Sequence, residues 1–80
     1  MKLWKLSQTD NGAYDTYDSC VVAADTEDQA KATHPSGRDE PFPSWRIDWA
    51  SEPSKVMCQY LGEAADGVPA GVICASYNAG

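Results

Sequence analysis

Residues 14–34 read YDTYDSCVVAADTEDQAKATH, and the change of pattern inside this stretch decides the fold. Its first half, Tyr14 to Ala24, is rich in β-branched and aromatic residues and predicts a strand. Its second half opens on Thr26-Glu27-Asp28-Gln29, which fits the S/T-x-x-E/Q capping box and places two acids in a first helical turn. Ala30, Lys31 and Ala32 favour helix, and Glu27 with Lys31 forms an i,i+4 pair in the favourable order. Pro35 stops the helix near His34, because the residue before a proline is driven out of the α region. A helix of roughly nine residues is too short to stand alone, so it must dock on a sheet.

Working outward, Met1 to Gln8 (MKLWKLSQ) alternates, with Trp4 and Leu6 on one face and Leu3 on the other. Thr9-Asp10-Asn11-Gly12 supplies a turn signal, so the first two strands should pair antiparallel. Beyond the helix, residues 35–54 form an irregular stretch with prolines at 35, 41, 43 and 53. Trp45, Ile47 and Trp49 alternate within it and predict a short extended piece pinned by its indoles. Val56 to Leu61 reads as a third strand with Val56, Cys58 and Tyr60 on one face. Gly67 to Gly71 reads as a turn region, and Val72 to Tyr77 as a fourth strand. The expectation is one α+β domain over 1–80, β-β-α-β-β, with an antiparallel sheet of about four strands and one short helix on one face.

Composition narrows what such a domain can do. Leu, Ile, Val and Phe total 11 of 80 residues, below the level at which a charged chain starts to look disordered. Disorder is therefore the competing reading, opposed by the capping box and the spaced strand signals. A core would lean on Trp, Tyr and the 11 alanines. No run of apolar residues approaches the length of a membrane span, and no apolar segment behind Lys2 and Lys5 suggests a signal peptide. Cys20, Cys58 and Cys74 are odd in number and read as reduced, packed thiols, with a Cys58–Cys74 disulfide as the alternative.

No motif for catalysis emerges, and none is expected. His34, the single histidine, is placed at a helix C-terminus and predicts a capping or surface role. Ser36 and Ser44 lie near it in a Pro-rich loop, where serine is an ordinary turn residue. The cysteines have no C-x₂-C knuckle, so no metal is expected, and the glycines form no phosphate cradle, so no cofactor is expected. The carboxylate pairs Glu27/Asp28 and Asp39/Glu40 have no apolar surroundings to raise a pKa.

The charge distribution is more informative. The chain carries 12 acids against 6 bases, a formal net charge of −6. Residues 10–28 contain Asp10, Asp15, Asp18, Asp25, Glu27 and Asp28 and no base, so this stretch alone matches the net charge. Asp15 and Asp18 should lie at the hairpin end and Asp25, Glu27 and Asp28 at the other, roughly 20–25 Å away. One reading is an acidic surface that keeps a small protein monomeric. The sharper one is a track of carboxylates that imitates nucleic-acid phosphates and competes for a basic groove. Tyr14 and Tyr17, interleaved with Asp15 and Asp18, tilt slightly towards an interface, with ordinary cross-strand packing as the alternative.

The segments MKLWKLSQ, YDTYDS followed by VVAA, HPSG, YLGEA and GVICASYNAG resemble a family of short phage- and prophage-encoded proteins that includes type I-C anti-CRISPR proteins. Residues 38–54 carry least of the likeness. The resemblance implies a protein in the cytoplasm of an infected or lysogenic bacterial host. Its partner would be a subunit of the crRNA-guided surveillance complex (Cascade), kept by it from engaging target DNA; the acidic composition separately disfavours direct nucleic-acid binding, and no membrane binding is expected. The resemblance marks no functional residue. The alternatives are an acidic phage-encoded adaptor that inhibits another basic host protein, and a self-associating structural protein using exposed Trp45 and Trp49.

Overall fold

The computed structural model describes residues 1–9, 11–12, 15–37 and 48–78. Four strands, β1 (Lys2–Ser7), β2 (Thr16–Ala24), β3 (Met57–Glu63) and β4 (Gly71–Asn78), form one antiparallel sheet in the order β3-β1-β2-β4. The helix α1 (Glu27–Lys31) follows β2, and a 3₁₀ turn (Pro53–Lys55) leads into β3. The fold is thus the expected small α+β domain.

Alternation along β1 and β2 creates the buried face. Leu6 pairs with Cys20 and Trp4 with Val22, and Leu6, Cys20 and Val22 are buried. Ala24, Ala30, Trp49, Ala50 and Val56 complete the core. Burying Leu6, Val22 and Val56 supplies about 1.5–3 kcal/mol each. Trp4 packs at the margin, where its indole N–H donates to the Ala24 carbonyl at 3.0 Å and its ring meets Tyr60 edge-on at 5.4 Å.

The turn after β1 is wider than the Asn-Gly signal suggests. The ladder closes at Ser7 and Ser19, and the buried side chain of Gln8 spans the mouth of the connection. Gln8 Nε2 donates to the carbonyls of Asn11 (2.8 Å) and Tyr17 (3.1 Å), and Gln8 Oε1 accepts from the Asn11 amide (2.6 Å). A side chain therefore does what a two-residue turn would otherwise do.

The capping box forms, but α1 is shorter than expected. Thr26 Oγ1 accepts from the Gln29 amide at 3.2 Å, and Gln29 Oε1 reaches back to the Asp25 amide at 3.2 Å. The helix stops at Lys31 because Thr33 Oγ1 donates to the Gln29 carbonyl (3.0 Å) while the Thr33 amide turns to Ala30 (3.0 Å). Its single buried side chain is Ala30, which is small enough to let the helix sit against the sheet.

Three register shifts shape the sheet edges. They leave Asp18 in β2 without a partner on β4, Leu61 in β3 without one on β1 and Ile73 in β4 without one on β2. Gly62 (φ 145°) beside the β3 bulge adopts a backbone that only glycine takes easily. Trp49 is fully buried, as the pinning of the loop by its indoles requires, whereas Trp45 and Ile47 lie outside the described residues. The alternative Cys58–Cys74 disulfide is excluded. The two residues sit on opposite edge strands, about 14 Å apart by strand spacing, and all three cysteines are free thiols.

Candidate acidic face

Of the six acids singled out by the sequence, Asp15, Asp18, Asp25, Glu27 and Asp28 are described and all are exposed. Asp10, and Tyr14 among the aromatic candidates, lie outside the described residues. Asp15 occupies the left-handed region (φ 63°) just before β2, a conformation aspartate tolerates better than most residues. Asp18 sits in the β2 bulge, which explains how a charged residue fits an inner strand without entering the core. Asp25, Glu27 and Asp28 gather at the start of α1, where the capping interactions hold the backbone and the helix dipole favours negative charge.

Two acidic groups result. From Asp18 to Asp25 the strand runs about 23 Å at roughly 3.3 Å per residue, along a molecule whose longest dimension is 36 Å. None of these five carboxylates has a Lys or Arg within 4.0 Å among the described residues. The expected Glu27–Lys31 pair is thus not closed, because the helix ends at Lys31 and an exposed pair gains little by ordering two side chains. Glu27 still influences its surroundings. Burial first, then the Glu27 charge, push the Cys58 thiol up, with Lys31 opposing.

Tyr17 is half-buried rather than free, with its ring edge-on to Tyr77 at 4.8 Å and to His34 at 5.9 Å. It packs against the core, while Tyr77 is 48% exposed and presents the aromatic surface at this end. Local desolvation first, then the charges of Asp15, Tyr17 and Asp48, push the Tyr77 hydroxyl above its ordinary value. Sequence reading missed Tyr77 because its importance depends on the register that pairs it with Tyr17.

The expectation for His34 is corrected. Its side chain is buried at 2% exposure, not displayed at a helix end. Nε2 lies 2.9 Å from Asp48 Oδ1, and Nδ1 lies 2.8 Å from Ser36 Oγ and accepts from the Ser36 amide at 3.0 Å. The inward turn follows from the early end of α1 and from polar partners at both ring nitrogens. Serine, histidine and aspartate stand in one hydrogen-bonded row, but the ring is closed in by the fold. The row ties the 34–37 turn and Asp48 to the start of β2, where the Tyr17 amide also donates to the Asp48 carbonyl at 2.7 Å.

On the other side of the sheet, Lys5, Ser19, Val21, Cys74 and Ser76 line a shallow depression of ≈ 160 Å³. Among the described residues no cluster of His, Cys, Asp or Glu could hold a metal ion, and no helix is long and apolar enough to cross a membrane. No family model, curated protein or solved structure matches the chain.

Proposed function

We propose that this chain is an inhibitor that occupies a basic, nucleic-acid-binding groove on a partner protein. Following the sequence resemblance, we assign the partner as a subunit of a type I CRISPR surveillance complex, met in the cytoplasm of a phage-infected or lysogenic host. The observation that supports the reading is the set of five exposed carboxylates without a cationic neighbour among the described residues. An internal salt bridge would compete with any external lysine or arginine. Acids unpaired among the described residues, along β2 and at the capped start of α1, remain available to them.

A surveillance complex holds DNA in positively charged channels, and the acids would enter such a channel in place of phosphates. Their attraction speeds encounter and selects the groove, while apolar and hydrogen-bonded contacts supply the remaining affinity. The experiment is a phage or plasmid challenge in cells carrying a type I system, with the wild-type protein and an Asp15→Lys/Asp18→Lys variant. Wild type should protect the invading DNA, and the folded variant should lose protection. Equal protection by both proteins rejects the acidic face, and no protection by wild type rejects the partner. The self-association alternative loses one of its supports, because Trp49 is buried.

A further inference from the structure

The β4 edge joins two properties that the acidic-groove reading leaves unused to acids that it already employs. First, β4 is an edge strand, and Ile73 through Tyr77 are all exposed. Its outer backbone groups face no strand among the described residues. Second, its sequence GVICASYN carries no charge and no proline, the usual devices that discourage strand addition, whereas the other three strands each hold a charged residue. The bulge at Ile73 leaves Cys74–Asn78 uninterrupted, while the β3 bulge at Leu61 breaks the opposite edge near its middle. Third, acids flank this neutral strand. Asp18 bulges between the Tyr17–Tyr77 and Ser19–Ser76 pairs, and Asp15 is close enough to act on the Tyr77 hydroxyl.

We propose that the β4 edge receives an extended segment of the partner protein by strand addition, and that Tyr77 with Asp15 and Asp18 receives its arginine side chains. The proposal rests on the acidic-groove reading and names how that partner is held. Main-chain hydrogen bonds to Cys74–Asn78 supply sequence-tolerant affinity. A guanidinium lying on the Tyr77 ring gains cation–π attraction and can turn its N–H groups to the carboxylates. Charge complementarity selects a basic segment over a second copy of this chain, which would bring another net −6 to the same edge.

The test uses the whole protein and three capped peptides, TRVRVT, TEVEVT and a TRVRVT analogue N-methylated at both valines. Amide shifts and hydrogen-exchange protection locate each peptide, and sedimentation gives the protein's own oligomeric state. The expected result is TRVRVT binding with new protection across Cys74–Asn78. Affinity should fall three- to tenfold in Tyr77→Ala and at least tenfold in Asp15→Lys/Asp18→Lys, and be absent for the other two peptides. Equal binding of the N-methylated peptide, protection centred on β3 or α1, or dimers that bury β4 overturn the proposal. If TRVRVT fails to bind while the protein still displaces duplex DNA from the surveillance complex, strand addition alone is rejected. Failure of both rejects the groove reading with it.

Discussion

At the scale of single residues, the interior mixes well-satisfied and poorly satisfied polar groups. His34 is among the former, and because the Ser36 amide donates to Nδ1, the neutral ring must carry its proton on Nε2 towards Asp48. Nitrogen chemical shifts of His34 should therefore report the Nε2–H tautomer, and an Nδ1–H ring would contradict the clasp. Trp49 is the opposite case, since its indole N–H is buried without a partner among the described residues. Trp49→Phe removes that donor, worth about 1–3 kcal/mol of desolvation, and leaves a small void costing about 1 kcal/mol. Urea denaturation should find Trp49→Phe near neutral and Trp49→Ala destabilising by about 3–5 kcal/mol. Among the cysteines, burial, followed by the charges of Cys74 and Cys58, pushes the Cys20 thiol up to about 12 from 9.0. The folded state therefore holds this proton more tightly than the unfolded chain. Its contribution is complete below pH 9 and is lost as pH rises from there to about 12. Thiol reagents in native buffer should label exposed Cys74 first and Cys20 last; rapid labelling of Cys20 would contradict its place in the core.

At the scale of elements, α1 has five residues and depends on its cap and its docking. Thr26→Ala should cost about 1 kcal/mol in denaturant unfolding, and an unchanged midpoint would show that the cap contributes nothing. This element was legible because a capping box is local chemistry written in four consecutive residues. The strands were legible for the same reason, since aromatic and β-branched runs bounded by turn residues carry their own signal. The bulges at Asp18, Leu61 and Ile73 were not, because a bulge is a mismatch between two strands and cannot be read from either alone. The inward turn of His34 was hidden likewise, since its partner Asp48 lies 14 residues away and comes near only after the chain folds back.

At the scale of the whole molecule, a thin core and a high net charge divide the work between them. The core holds one face of the sheet, and the exposed acids at the two ends of β2 give the outer surface its sign. The segregation of charge was legible in residues 10–28, but the lack of cation partners among the described residues and the nearness of Asp15 to Tyr77 became visible only in three dimensions. In the proposed function these carboxylates take the place of phosphates. The most direct measurement is competition between this protein and target duplex for the purified surveillance complex, repeated over a range of salt concentrations. Binding of protein and duplex should be mutually exclusive, weaken with added salt and fall at least tenfold in Asp15→Lys/Asp18→Lys. Simultaneous binding of protein and duplex, or an affinity indifferent to both salt and charge reversal, would contradict the proposed function.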